Sequence, residues 1–223
     1  MPSLLTVTTG QASSAGRKKQ NQDFHGLYVP QGTPLHTKGI AVAIADGISS
    51  SDVSQIASET AVSSFLEDYY CTSQAWSVRR AGERVIAALN SWLYAQTRQS
   101  QYRDDADRGY VCTFSALVLK AASAYLFHVG DTCIYRIRDG ALERLTESHR
   151  LRISRYESYL SRALGVNDRV EIDYQRLAIA SGDVFVLATD GVYEYTDDPT
   201  LIDTVAVHGD DLEAAAAHLV DMS

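Results

Sequence analysis

Two short apolar runs that both stop on Asp-Gly constrain this chain more than any other feature of it. Ile40-Ala41-Val42-Ala43-Ile44-Ala45 ends at Asp46-Gly47, and Val184-Phe185-Val186-Leu187-Ala188-Thr189 ends at Asp190-Gly191. Runs of this length rich in β-branched residues read as strands buried on both faces, and Asp-Gly marks a turn. Each run therefore sets a carboxylate at a strand mouth. If the two mouths open at one place, two acids meet, and such a pair needs a cation or a shared proton. Two ordinary hairpin turns are the alternative, because Asp-Gly is a common turn dipeptide.

A chain of 223 residues, 45% of them hydrophobic, is long enough for one sizeable domain, taken here as residues 1–223, that buries roughly 70% of its unfolded surface. A net charge of −8 and a pI near 5.2 give no electrostatic support to nucleic-acid binding or to attraction by an anionic membrane. Cys71, Cys112 and Cys133 are odd in number and lack a Cys-x-x-Cys spacing. That usage argues against a disulfide framework and against zinc, and it fits a reducing compartment. Met1 to Gly10 lacks the basic start and apolar stretch of a signal peptide, and no run approaches a membrane span, so the expectation is a cytoplasmic protein.

Along the chain, Leu4 to Thr9 reads as a strand, Gly10 to Gly16 as a small-residue loop, Phe24 to Val29 as a strand and Pro30 to Gly39 as a loop. Asp52 with Gln55 approximates a capping box opening a helix whose stripe is Val53, Ile56, Ala57, Ala61, Phe65, Leu66 and Tyr69. A second helix begins after Thr72 or Ser73 and buries Val78, Ala81, Val85, Leu89 and Trp92. Gln99 to Gly109 is an acidic loop. Phe114–Lys120, Ala124–Val129, Cys133–Ile137 and Ala141–Thr146 are short strands separated by turn signals, which reads as one antiparallel meander. Glu147 to Tyr159 carries His149, Arg150, Arg152 and Arg155, either as an exposed linker or as a basic flap beside an anion site. A strand around Ile172–Ile179 follows, then the second Asp-Gly strand, then helical stretches near Pro199–Val207 and Asp211–Asp221. Strands on both sides of the helix pair exclude a doubly wound βαβ design and predict antiparallel sheet layered against helices.

Aspartates without histidine or cysteine ligand positions point to a hard cation, Mg²⁺ or Mn²⁺. Two such ions can activate a water and clamp an in-line displacement at phosphorus. Arg17 suits a phosphate fork because a planar guanidinium grips phosphate oxygens in pairs, whereas Lys18 and Lys19 act as point charges. An exposed basic loop is the plainer reading of the same three residues.

The ordered set Arg17-x-x-x-Asn21-Gln22-Asp23, Ala45-Asp46-Gly47, Val129-Gly130-Asp131, Ser161-Arg162-Ala163-Leu164-Gly165 and Ala188-Thr189-Asp190-Gly191 resembles the metal-dependent protein phosphatases of type 2C, in their bacterial form. The resemblance implies an α+β fold, a four-layer α-β-β-α sandwich of two mainly antiparallel sheets flanked by helices, with two Mn²⁺ or Mg²⁺ ions at one edge. It implies that Asp46 bridges the metals, the Gly47 carbonyl ligates one, Asp190 ligates the other, Asp23 stands with them and orients the attacking water, and Arg17 holds the substrate phosphate. The implied substrates are proteins bearing phosphoserine or phosphothreonine, with a cognate serine/threonine kinase as a partner. Four departures accompany it. Gln22 stands where many members carry glutamate, removing a charge near the metals. Ile48 replaces a histidine that protonates the leaving group in animal members, leaving that proton to water. Val111-Cys112-Thr113 departs from the pattern around a third metal, for which Asp107 is the match. The closing Asp-Asn and the final strand are absent before Ser223, so the domain reads as C-terminally incomplete. A metal-poor module that binds phosphoproteins without turnover is the competing function, and an unrelated carboxylate nuclease the third.

Overall fold

The computed structural model describes residues 5–152 and 158–223. Its strands are β1 (Asp23–Tyr28), β2 (Ile40–Asp46), β3 (Phe114–Lys120), β4 (Ser123–Val129), β5 (Cys133–Arg138), β6 (Ala141–Arg144), β7 (Arg150–Arg152), β8 (Ser158–Leu160), β9 (Asp173–Ala178) and β10 (Val184–Ala188). Its helices are α1 (Thr33–Thr37), α2 (Ser54–Cys71), α3 (Val78–Gln99), α4 (Asp190–Tyr193), α5 (Asp198–His208) and α6 (Leu212–Asp221). The strands form a large sheet in the order β1-β2-β3-β4-β9, a small sheet β10-β5-β6 and a ribbon β7-β8. Every pairing is antiparallel.

Alternation along the strands stacks these sheets. Successive side chains of a strand point to opposite faces, so Ala41, Ala43 and Ala45 of β2, Phe114, Ala116 and Val118 of β3, and Phe127 and Val129 of β4 form one apolar face. Ala57, Ala61, Phe65 and Tyr69 of α2 and Val85, Ile86, Leu89 and Leu93 of α3 pack against it. Ile40, Leu117, Leu119, Ala124 and Leu126 project from the other face and meet Ile134, Phe185 and Leu187 of the small sheet. The small sheet turns Cys133, Tyr135, Ile137, Val184 and Val186 outward, where Leu201 and Val205 of α5 cover them. Helix, sheet, sheet, helix is the four-layer order that the resemblance implied. The alanines on β2 let α2 lie close to the sheet, while the bulk is supplied by Phe65, which meets Phe114 edge-on at 5.2 Å between ring centroids.

Several local expectations give way to tertiary context. Leu5 to Thr9 takes no part in a ladder, yet Leu5 and Val7 lie against the layer between the sheets; apolar alternation there records burial rather than strand pairing. Pro30 to Gly39 contains the short α1, started by Pro34 in its first turn. The meander is not single: β4 pairs with β9 and β5 with β10, so the chain changes sheets at Gly130–Thr132. The capping box does not form, because α2 starts after Val53 without a side-chain cap, Ser51 Oγ accepts from Val53 N at 3.1 Å and Asp52 pairs with Arg108 at 3.4 Å. Ile56 and Trp92 are 48% and 44% exposed; both fall just off the stripe that faces the sheet. Among the described residues no helix is long and apolar enough to cross a membrane.

Candidate active site

The first residue of β1 is paired with the last residue of β2, so Asp23 stands opposite Asp46. Directly opposed residues of an antiparallel pair project to the same face with Cβ atoms roughly 5 Å apart. This brings two carboxylates to one rim of the large sheet. The second Asp-Gly run arrives beside them, since Thr189 Oγ1 donates to Asp23 Oδ2 at 2.8 Å and Asp190 follows as the first residue of α4. The turn by which the chain changes sheets supplies Asp131. Burial, then the Asp23 and Asp190 carboxylates, a hydrogen bond with Asp23 and finally Asp131 push the Asp46 carboxyl well above its ordinary range. Asp131 is also raised, by burial first, against the pull of the Arg150 guanidinium.

The backbone around Asp46 is fixed from both sides. Thr113 Oγ1 accepts from Asp46 N at 3.0 Å and Asp46 O accepts from Thr113 N at 2.8 Å. Gly47 N donates to Gln22 O at 3.0 Å, and Gly47 bridges to Cys112, which in turn bridges to Leu164. A side chain at position 47 would have its Cβ 2.7 Å from the Ser54 backbone, so glycine is required where α2 begins against the rim. Gln22 does not face the carboxylates. Its Nε2 donates to Ser54 Oγ at 2.8 Å and to Ser51 O at 3.1 Å.

The Ser161–Gly165 motif is a staple behind the site. Ser161 Oγ donates to His149 O at 2.8 Å, Leu164 N to Cys112 O at 2.9 Å and Gly165 N to Asn90 Oδ1 of α3 at 2.9 Å. Gly165 has φ +86, and a Cβ there would lie 2.1 Å from Tyr110 O. His149 is buried; its Nδ1 accepts from Gly130 N at 3.0 Å, which leaves Nε2–H to donate to Asp173 Oδ2 at 2.8 Å. Burial works to raise Asp173, but the His149 and Arg162 hydrogen bonds outweigh it and hold that carboxyl below its usual range.

Of the residues singled out from sequence, Asp23, Asp46, Gly47 and Asp190 meet at this rim. Arg17 is exposed on the turn closed by Lys18 N donating to Ala15 O at 2.9 Å, and among the described residues it has no ion pair. Asp107 sits on a 3-10 turn, exposed, with its carbonyl accepting from Ser50 Oγ at 2.7 Å. Arg155 lies outside the described residues. Sequence reasoning gave no role to Asp131, Glu194 or Thr189, and it left Arg150 as one of several basic residues. Gly130-Asp131 was a signal for the first of these, since it mirrors Asp-Gly at another strand end.

Aspartate oxygens and a backbone carbonyl are the donors that Mg²⁺ and Mn²⁺ prefer, and burial with the neighbouring carboxylates raises the Asp46 carboxyl. Among the described residues no three acidic, His or Cys side chains converge on one coordination sphere. The acids are instead spread around Arg150, whose Nη2 lies 2.7 Å from both Asp131 Oδ2 and Asp190 Oδ2 and whose Nη1 lies 2.9 Å from Glu194 Oε1.

Facing carboxylates at the rim of a helix-sheet-sheet-helix fold suit a hydrolase, and sequence comparison gives the family. Residues 11–221 match the family model for protein phosphatase 2C, and the chain belongs to that family. Protein phosphatase PhpP of Streptococcus pneumoniae serotype 2 is 24% identical over 196 residues, covering 81% of this chain and 76% of that protein. The serine/threonine phosphatase of S. agalactiae superposes with a TM-score of 0.78 at 20% identity, over 97% of this chain and 90% of that one. The catalytic domain of serine threonine protein phosphatase PstP in complex with two manganese ions superposes at 0.71 with 20% identity, over 97% and 88%. The chain is a protein serine/threonine phosphatase, and its substrates are phosphoproteins.

Proposed function

We propose that Asp46, Gly47, Asp23 and Asp190 hold two Mn²⁺ or Mg²⁺ ions and that Arg17 binds the substrate phosphate, in a cytoplasmic phosphatase working opposite a cognate serine/threonine kinase. The observation that carries the metal assignment is the facing pair Asp23 and Asp46, with Thr189 joining the second Asp-Gly strand to it. When bound, such ions activate water and neutralise charge on a phosphoryl group displaced in line. The chain's own contribution is placement. Thr113 and Gln22 fix the backbone at Asp46 and Gly47, the Thr189 hydroxyl orients Asp23, and the exposed guanidinium of Arg17 is free to fork onto phosphate oxygens. Free cysteines at Cys71, Cys112 and Cys133 support the reducing compartment. Residues 1–223 are proposed to act as one domain.

Hydrolysis of p-nitrophenyl phosphate tests this reading. Turnover should require Mn²⁺ or Mg²⁺, vanish in EDTA and fall by roughly a hundredfold or more in Asp46→Asn, the scale of losing one transition-state charge contact. Arg17→Ala should chiefly raise KM, with Lys18→Ala and Lys19→Ala near wild type. Turnover that survives both EDTA and Asp46→Asn would reject the centre.

A further inference from the structure

Asp131 is the most enclosed of the rim acids, with a side chain 5% exposed, and its ion pair is with Arg150. The same guanidinium nitrogen reaches Asp190 at an equal 2.7 Å, and the neighbouring nitrogen reaches Glu194. Nη2 therefore sits between two carboxylate oxygens that belong to different sheet-end loops, which is where a cation bridging them would sit. A divalent ion stands about 2.1 Å from its oxygen ligands, closer than this nitrogen does. The two occupants exclude each other.

Arg150 is held at its post by the residue before it. His149 N donates to Gly130 O at 2.8 Å and Gly130 N donates back to His149 Nδ1 at 3.0 Å, so the start of β7 is bonded to the turn that carries Asp131. Burial opposes the charge on Arg150, yet Asp131 and Asp190 outweigh it and bind the proton more firmly than usual. The guanidinium is 30% exposed, which leaves a path outward.

We propose that Arg150 is a positioning residue for the metal centre, an internal cation that holds Asp131 and Asp190 together in the metal-free protein and withdraws when an ion takes up their oxygens. The inference rests on the reading of Asp190 as a metal ligand and extends that role to Asp131. It has two linked consequences. Metal affinity is lowered by the ratio of engaged to withdrawn Arg150, and the metal-free fold is stabilised because buried carboxylates keep a counter-charge.

Calorimetric titration of Mn²⁺ into the full chain, its Arg150→Gln variant and its Glu194→Gln variant tests the proposal, with thermal unfolding in EDTA as a second readout. Arg150→Gln should bind at least one Mn²⁺ about tenfold more tightly and should unfold at a lower temperature in EDTA, the deficit closing at saturating Mn²⁺. Glu194→Gln separates competition from a simple field effect. Removing a negative charge would by itself weaken cation binding, whereas loosening Arg150 should strengthen it, by about threefold. Glu194→Gln retains Arg150 and both aspartates, so the test stands even where Arg150→Gln fails to fold. Unchanged or weaker Mn²⁺ binding in Glu194→Gln overturns the proposal, as does unchanged binding in a folded Arg150→Gln. Equal binding by all three proteins sinks the role of Arg150 alone, while no binding by any of them sinks the metal reading with it.

Discussion

Gln22 shows how one side chain changes meaning when its partners are known. By its place in the sequence it looks like a charge removed from the metal ligands, but its amide is spent on Ser51 O and Ser54 Oγ at the start of α2. An amide nitrogen can donate to a carbonyl and a carboxylate cannot. Gln22→Glu should therefore lower stability by about 1–3 kcal/mol, the cost of leaving part-buried acceptors unmet, and leave Mn²⁺ affinity close to wild type. A urea midpoint equal to wild type, or a large gain in metal affinity, would return Gln22 to the metal site.

Among the elements, α3 is seated by a glycine rather than by a large side chain. A Cβ at Gly82 would lie 2.3 Å from the Phe127 ring, and that ring is fully buried between α2, α3 and Tyr174. Helix propensity favours alanine over glycine by about 1 kcal/mol. Contact with a ring that has nowhere to move should outweigh this, since overpacking a close-packed core costs about 1–3 kcal/mol. Gly82→Ala is expected to unfold at lower urea than wild type, and a variant more stable than wild type would show that α3 can lift off the sheet freely. The Asp-Gly strands, the amphipathic α3 and the lengths of β3 and β4 were all legible from periodicity, because each of those patterns reports burial directly. The missing cap of α2 and the exposure of Trp92 were not, because they depend on which neighbour arrives across the stripe.

At the scale of the molecule, the two sheets meet over a polar patch. Ser115 Oγ lies 2.8 Å from His128 Nδ1 and 2.7 Å from Thr132 Oγ1, and His128 Nε2 donates to Glu147 O at 2.9 Å. Burial, and then His149, lower the His128 pKa from 6.5 to about 4. The unfolded chain thus takes up the proton first, so the stability tied to neutral His128 is complete above pH 6.5 and is lost as the pH falls toward 4. The full span corresponds to about 3 kcal/mol. Asp173, whose carboxyl is lowered below 3.8, loses its contribution only in more acid solution. Urea unfolding at steps between pH 7 and 4.5 should show this decline, and His128→Gln should flatten it. An equally steep decline in His128→Gln would assign the acid sensitivity elsewhere.

The sequence by itself determined which residues were to be buried and which strand ends would carry acids, because alternation and the Asp-Gly break are local consequences of side-chain polarity. Asp46 and Asp190 could be picked out on that basis, whereas Asp23 came only with the family resemblance. The partition of the strands was decided only by the tertiary structure, since Gly130–Thr132 reads as a turn whether the next strand returns to the same sheet or crosses to another. So was the pairing of Arg150 with Asp131, Asp190 and Glu194. Charges 19, 40 and 44 residues apart carry no sequence signal of their meeting; they meet because two sheets pack face to face and leave their loop ends at one rim.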